Sequence, residues 1–223
     1  MSKGQLLAEG IYQHYADGTA IGSETWQISQ LGHGGIIIAS RAEFQPGTAA
    51  NWNFTCELDR TWSPLALTLR VERDGQVQTS TQQVEGERWI AQVESGGTSL
   101  THELPFSKQH EIDFGSPLFN TVTLLRTRLQ VGASRDLDVV FIPSDSLTPT
   151  ADVQKYECLA EERGQSPAGA FPGFKYRMTH PQREGAQVNE FWADRHGIIV
   201  DYRSRNGTLS EFKLARYRQV ARR

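Results

Sequence analysis

The sequence has few of the features that mark secreted or membrane-spanning proteins. Cysteine is scarce, with only Cys56 and Cys158 in 223 residues. Because neither belongs to a CxxC motif and no export signal is evident, we expect reduced thiols rather than a disulfide. Apolar runs are short, as at residues 36–39, whereas a membrane-spanning helix needs roughly 18 residues. Glu9 interrupts the start before a secretory apolar segment could form, so we expect a cytoplasmic protein without stable membrane insertion.

An excess of charge of one sign is also missing. The chain has 23 Lys and Arg residues against 26 Asp and Glu residues, which gives a formal net charge of −3. This balance argues against a generic polyanion binder, so no nucleic-acid partner is expected. The end of the chain from Lys213 onward is basic, and we interpret it as a solvated strand face followed by a short tail at residues 218–223.

Recognisable catalytic and metal-binding motifs are absent as well. The six histidines show no HxH, HxxxH or HExxH spacing, and no GxSxG sequence occurs. The glycine-rich stretch at residues 32–35 has no following Gly-Lys-Ser/Thr sequence, so it predicts a hairpin loop rather than a phosphate-binding loop. We therefore expect neither a metal nor a cofactor.

What the sequence does contain is alternation of apolar and polar residues with a period of two. Leu65, Leu67, Leu69 and Val71 alternate with smaller or polar residues, which predicts a strand with these four side chains on one face. An Asp-Gly turn at residues 74–75 and glycine turns near residues 86 and 96–97 continue this strand into a four-strand meander that ends at residue 106. Further strands are predicted at 7–15, 21–28, 36–44, 174–178, 188–192, 198–202 and 209–217, with an Asn-Gly hairpin at 206–207.

Helical signals are confined to the middle of the chain. Ser116 and Pro117 have the residue types of an N-cap and a first helical position, and the apolar spacing predicts a helix over residues 117–129. Residues 152–163 fit either a helix or a strand. Residues 161–173 are rich in Gly, Ser, Ala and Pro, which predicts a loop.

These elements predict a mainly β protein with one or two short helices. The length suits one large or two small domains, and no clear linker is present, so we predict a single domain over residues 1–223. About ten antiparallel strands would form a large curved sheet, a barrel or half-barrel, because an open flat sheet would expose its edges. A rolled sheet of this size can enclose space for a ligand.

Four polar side chains are in phase with apolar neighbours on predicted strands. They are Glu24, His102, His180 and Glu190. A carboxylate and an imidazole that met in an apolar cavity could act as general base and general acid. The alternative is that each lies at a strand end and is hydrogen-bonded or hydrated, without a chemical role.

Aromatic and sulfur-containing side chains on the predicted strands are candidates for the wall of a ligand cavity. The proposed set is Trp26, Trp89, Tyr176, Met178 and Trp192. The alternative is that these side chains belong to the core, because the alternation does not distinguish a core face from a cavity face.

Several segments resemble a bacterial glycolipid-binding family. They are Asn-Phe-Thr-Cys-Glu-Leu-Asp at 53–59, Ile-Asp-Phe-Gly-Ser-Pro-Leu-Phe-Asn-Thr at 112–121, Val-Val-Phe-Ile-Pro at 139–143 and Gly-Ile-Ile-Val-Asp-Tyr at 197–202. The resemblance extends over roughly residues 50 to 217. It implies the fold of bacterial lipoprotein carriers, in which a large curved antiparallel sheet wraps around helices, and it brings no catalytic residues with it.

The sequence thus supports three hypotheses about function. The first is a non-enzymatic carrier or sensor that binds a hydrophobic or amphipathic small molecule, lipid-like or glycolipid-like, in a sheet cavity. The second is an isomerase, cyclase or hydrolase that uses an acid–base pair in the cavity. The third is a structural module that dimerises through a sheet edge. Ligand identity and oligomeric state stay open at this point.

Overall fold

The computed structural model describes residues 4–182, 187–206 and 208–220, and its strands form one mixed sheet around a helix. The elements in chain order are β1 (Gln5–Ala16), β2 (Thr19–Gln30), β3 (Ile36–Phe44), β4 (Asn51–Leu58), β5 (Pro64–Arg73), β6 (Gln76–Glu85), β7 (Arg88–Ser95), β8 (Thr98–Pro105), β9 (Glu111–Asp113), α1 (Pro117–Thr127), β10 (Ser134–Phe141), β11 (Thr150–Ser166), β12 (Gly169–Thr179), β13 (Val188–Asp194), β14 (Ile199–Asn206) and β15 (Thr208–Gln219).

The order of strands in the sheet is β8-β7-β6-β5-β4-β3-β2-β1-β15-β14-β13-β12-β11-β10-β9. Neighbouring strands are antiparallel except β9 and β10, which are parallel and are connected through α1. The pairing of β1 with β15 joins the first and last strands of the chain at the middle of the sheet. The sheet is not closed, because β8 and β9 form its two edges.

The sheet must bend around α1, because strands far apart in the sheet contact the same helix. The ring of Phe119 lies 5.0 Å from that of Phe54 in β4, and the Asn120 amide donates to the Tyr156 hydroxyl in β11 at 2.8 Å. In a flat sheet β4 and β11 would be roughly 40 Å apart, whereas a helix is only about 10 Å across. The large curved sheet predicted from the sequence is therefore confirmed, and the core lies between its inner face and the helix.

The predicted helix is confirmed together with its start. The Ser116 hydroxyl accepts a hydrogen bond from the Leu118 backbone N–H at 3.3 Å, and Pro117 occupies the first helical turn, where a missing N–H costs nothing. The helix ends at Arg128, which has a left-handed conformation with φ of 47°. Across the described ranges, no helix has the length and apolar character needed to cross a membrane.

The strand count of about ten was too low, because the described residues form fifteen strands. Strands β4, β9 and β10 had no prediction, and the predicted loop at residues 161–173 is wrong, since most of it belongs to β11 and β12. A small residue in this stretch allows neighbouring strands to approach closely, because a Cβ at Gly164 would lie 2.9 Å from the Trp192 Cβ. The ambiguous segment at residues 152–163 lies in β11, where burial alternates along the strand.

One predicted strand face needs correction. Leu67, Leu69 and Val71 are buried as predicted, but the Leu65 side chain is 43% exposed. The cause is an irregularity in the pairing of β4 with β5, where Leu58 pairs with Pro64 and Glu57 pairs with Ala66. The extra residue turns Leu65 outward without disturbing the alternation that follows.

The C-terminal strand extends further than predicted. Arg218, placed in a tail by the sequence, lies in β15 and forms an ion pair with Glu9 at 2.7 Å. Residues 221–223 of the predicted tail and Gly207 of the predicted Asn-Gly hairpin lie outside the described residues.

We expect Gly173→Ala to lower the free energy of unfolding by about 1–3 kcal/mol, the usual range for overpacking. A Cβ at this position would lie 1.8 Å from the carbonyl oxygen of Ala193 in the neighbouring strand, so the backbone would have to move. Urea denaturation followed by circular dichroism measures the loss. Gly115→Ala is the matched control, because a Cβ there meets no atom within 4 Å. Equal stability of the two variants would contradict this packing.

Candidate functional site

Two cavities lie at opposite ends of α1. The larger, here called the apolar cavity, has a volume of about 1010 Å³ and lies at the C-terminal end of the helix. Six of its lining residues come from five separate parts of the chain and present apolar or aromatic side chains: Leu7, Ile28, Leu125, Leu129, Phe174 and Tyr217. Its size is at the upper end of the range for small-molecule sites, and its lining suits a hydrophobic group.

The rim of the apolar cavity is polar and carries positive charge. Arg128, Arg195 and His196 contribute to the lining. Arg195 forms an ion pair with Glu161 at 2.6 Å. The Arg128 side chain is exposed and forms no ion pair within the described part of the chain. An amphipathic molecule could therefore place its polar end at this rim.

One buried carboxyl group, that of Asp194, also lies in the wall of the apolar cavity. Its Oδ1 accepts the backbone N–H groups of His196 and Ile198, each at 2.9 Å. Burial raises the pKa of Asp194, and these two hydrogen bonds oppose the rise. These hydrogen bonds fix the turn between β13 and β14, so Asp194 stabilises this part of the cavity wall.

The smaller cavity, here called the polar cavity, has a volume of about 270 Å³ and lies at the N-terminal end of α1. Amide and hydroxyl groups dominate its lining, with an imidazole among them. Six of these residues are Ser116, Asn120, His180, Asn189, Ser204 and Ser210.

The imidazole of a buried imidazole–carboxylate pair, that of His180, borders the polar cavity. His180 Nδ1 lies 2.7 Å from Asp152 Oδ2, and both side chains are almost fully buried. Such a contact fixes the orientation of the imidazole ring. Of the predicted acid–base candidates, His180 is the one that lines this cavity.

Glu24 is fully buried inside the curved sheet and contacts three polar side chains. Its Oε1 accepts hydrogen bonds from the hydroxyls of Ser40 and Ser116, each at 2.5 Å. Its Oε2 lies 3.3 Å from His14 Nε2, and the His14 ring is enclosed by aromatic side chains such as Phe212. His14 was not predicted from the sequence, although it is in phase with the buried Tyr12 on β1, the same kind of pattern that indicated Glu24.

The other two acid–base candidates lie elsewhere. His102 is half-buried on the edge strand β8. Glu190 lies on the outer face of β13, where it pairs with Lys175 at 3.3 Å and Arg177 at 3.5 Å. Within the described ranges, no hydrogen bond or ion pair joins any two of the four predicted residues.

The five residues predicted to line a ligand cavity are divided among different environments. Tyr176 lines the apolar cavity and Met178 lines the polar cavity. Trp89 is buried in the core, where its indole N–H donates to Gln82 Oε1 at 2.6 Å. Trp26 is also buried, and its ring stacks on that of Tyr12 at 5.6 Å. It contributes to the wall of a separate cavity of about 720 Å³, which is lined by residues of β1 to β4 and β15.

Trp192 needs a correction of its own, because it lies on the outer face of the sheet. Its ring is covered by Lys175 at 4.8 Å and Arg203 at 5.1 Å. The inward position of β13 belongs to Phe191, which is fully buried. Both faces of this strand carry an aromatic residue, so alternation alone could not show which one points inward.

Both cysteines are buried free thiols, and burial raises the pKa of Cys158. Among the residues that the structure describes, no three His, Cys, Asp or Glu side chains come together as a metal site would require.

Comparison with known proteins places these features in context. A family model described as "Putative glycolipid-binding" matches residues 17–205. A search of curated proteins finds no match. A β-barrel-like protein of the DUF1849 family from Brucella abortus has a TM-score of 0.68 and 9% sequence identity, over 98% of this chain and 100% of that chain. A DUF1089 family protein from Pseudomonas aeruginosa has a TM-score of 0.52 and 18% identity, over 80% and 88% of the two chains. At these identities the structural likeness concerns the fold alone.

Proposed function

We propose that this chain, which belongs to the glycolipid-binding family, binds the apolar part of an amphipathic, lipid-like molecule in its apolar cavity and performs no covalent chemistry on it. The observation that carries the proposal is the apolar cavity itself, with its volume of about 1010 Å³ and its aliphatic and aromatic lining. Each Å² of apolar ligand surface removed from water there contributes about 25 cal/mol to binding.

The rim supports an amphipathic rather than a purely apolar ligand. Apolar residues of the lining, such as Leu125 and Phe174, suit a hydrocarbon chain, and the exposed Arg128 and His196 of the same lining are available to a polar head. The exposed Arg128 guanidinium can donate hydrogen bonds to hydroxyl, phosphate or carboxylate oxygens. Neither of the two buried imidazole–carboxylate pairs, His14–Glu24 and His180–Asp152, is part of the described lining of the apolar cavity, so we assign no covalent step to that cavity. Because both cavities lie against one sheet, we also propose that residues 1–223 act as one domain.

Leu129→Glu should weaken binding of the apolar fluorescent probe N-phenyl-1-naphthylamine by at least about tenfold, because a carboxylate in the cavity would lose hydration when the probe enters. Leu65→Glu is the matched control, since it makes the same chemical change at a side chain that is 43% exposed outside the cavity. Fluorescence titration gives both affinities. Octyl glucoside below its micelle concentration should displace the probe from the wild type.

Two results would overturn the proposal. One is equal probe affinity in Leu129→Glu and the wild type, provided that both are folded by circular dichroism. The other is conversion of an amphipathic ligand to a product by the purified protein.

A further inference from the structure

We infer that the polar cavity is a second binding site, for a neutral polyhydroxylated molecule the size of a monosaccharide. This second site is distinct from the site of the proposed function, because the two cavities lie at opposite ends of α1. The observation that carries it is a small cavity in which uncharged amide and hydroxyl side chains, together with aromatic rings, make up most of the described lining.

The charges around the polar cavity argue against an ionic ligand. None of its described lining residues is Lys or Arg, so among these residues an anion would meet no cationic side chain of those two types. The one carboxylate in its described lining, that of Asp113, already accepts from the Gln154 amide at 2.6 Å, and the His180 imidazole in the same lining contacts Asp152 at 2.7 Å. Hydroxyl groups, which both donate and accept, match such a wall better than a formal charge does.

The amide groups are held in place before any ligand arrives. Asn120 Nδ2 donates to the Tyr156 hydroxyl at 2.8 Å, and this hydroxyl donates to Gln154 Oε1 at 3.2 Å. Gln154 in turn donates to Asp113. These hydrogen bonds fix the orientation of the Asn120 side chain. Its carbonyl oxygen can then accept a hydrogen bond from a ligand hydroxyl.

The buried side-chain amide of Asn189 has only a weak hydrogen-bond acceptor. Its side chain is 1% exposed, yet its amide Nδ2 donates to the thioether sulfur of Met178 at 3.3 Å. A thioether is a weak acceptor, so this buried amide is poorly satisfied. A ligand hydroxyl in the cavity would be a stronger partner. Neighbouring Gln187 donates to both Asn189 Oδ1 and Ser204 Oγ, which holds the amide pair together.

The size and the remaining walls of the cavity suit one sugar-like ring. A volume of about 270 Å³ corresponds to the space of about nine liquid-water molecules. This is enough for a six-membered ring with its hydroxyls, and too little for two such rings. Tyr202 and Phe212, whose rings lie 5.4 Å apart, present apolar faces against which the C–H side of the ring can pack.

The two cavities are kept apart by the helix. Ser116 and Asn120 border the polar cavity, whereas Leu124 and Leu125 border the apolar one. An eleven-residue helix is about 16 Å long, so one short ligand cannot fill both cavities. Occupation of one site is therefore expected to be independent of the other.

Saturation-transfer NMR on the full chain tests the inference with four probes: D-glucose, D-galactose, N-acetyl-D-glucosamine and myo-inositol. We expect saturation transfer to at least one of them at millimolar concentration. Ser210→Leu should weaken that binding by about tenfold or more, because it fills the cavity and removes a hydroxyl. Thr68→Leu is the control, since its side chain is exposed on the outer face of β5. Gln187→Ala is a second test variant should Ser210→Leu fail to fold.

The results separate this inference from the proposed function. Absence of transfer to all four probes, or transfer unchanged in both Ser210→Leu and Gln187→Ala, would overturn the inference and leave the apolar cavity untouched. Leu129→Glu, which alters only the apolar cavity, should bind the polyol like the wild type. Loss of polyol binding in a folded Leu129→Glu protein would mean a single shared site and would also overturn it.

Discussion

Arg126→Met should lower the free energy of unfolding by about 4 kcal/mol at pH 8 and by clearly less at pH 5. Arg126 Nη1 lies 2.8 Å from Glu111 Oε1, and both side chains are nearly buried. Removing one partner of a buried ion pair leaves the other charge without compensation, which typically costs 3–5 kcal/mol. Arg126 also donates to the backbone carbonyls of Lys108 at 2.6 Å and His110 at 2.8 Å, so it ties α1 to the segment before β9.

The expected pH dependence follows from the carboxyl group. Burial raises the pKa of Glu111 from its ordinary value of 4.5 to about 7, while Arg126 and Thr123 oppose the rise. A raised carboxyl pKa contributes stability that is complete below about pH 4.5 and is lost as the pH rises through 7. Without Arg126 the ionised form loses its partner, so the cost of the substitution grows with pH. Near pH 5 the carboxyl is protonated, and mainly the lost hydrogen bonds of Arg126 remain.

Urea denaturation of wild type and variant at pH 5 and pH 8 measures this difference. The double variant Glu111→Gln/Arg126→Met is the matched control, because it removes the buried charge along with its partner. It should be more stable at pH 8 than Arg126→Met alone. An equal cost of Arg126→Met at both pH values would show that the ion pair contributes little and that the lost backbone contacts dominate.

The local features of this fold were readable from the sequence. Strands β1 to β3 contain the predicted segments, and the Asp74-Gly75 turn, with φ of 51° and 76°, joins β5 to β6 as expected. Ser116 and Pro117 start the helix as predicted. Such signals depend on neighbouring residues, because a two-residue alternation or a helix cap is complete within one short segment.

The contacts that build the cavities were not readable in the same way. Ser116 and Glu24 are 92 positions apart, and Tyr156 and Asn120 are 36 apart. Alternation shows that a residue shares a face with its neighbours, but it contains no information on which distant strand lies opposite. The separation of an apolar from a polar cavity depends on where α1 lies within the curved sheet, and no single segment specifies this position.

Inside and outside were also ambiguous where both faces of a strand carry large side chains. On β13 the buried Phe191 and the outward Trp192 are adjacent, and cationic side chains cover the indole. Trp192 therefore lies on the outer face, covered by Lys175 and Arg203. The alternation of residues on this strand instead predicted that Trp192 points into the core. Glu190 was misread for the same reason.

Glu24→Ala should destabilise the protein by about 4 kcal/mol, because it leaves three buried polar groups without their acceptor or charge partner. The hydroxyls of Ser40 and Ser116 both donate to the Glu24 carboxylate, and His14 lies 3.3 Å away. Since Ser116 also caps α1, the carboxylate links β2 to the start of the helix that separates the two cavities. Urea denaturation measures the loss.

A conservative variant distinguishes a structural role of Glu24 from a chemical one. Glu24→Gln keeps an oxygen acceptor for the two hydroxyls and should cost about half as much as Glu24→Ala. Glu43→Ala removes an exposed glutamate that pairs with Arg41 on the surface, and it should change stability by less than about 1 kcal/mol. If Glu24 holds the interior together, folded Glu24→Gln protein binds N-phenyl-1-naphthylamine with wild-type affinity. Full stability of Glu24→Ala would contradict that role and would return this buried carboxylate, next to His14, to the candidates for acid–base chemistry.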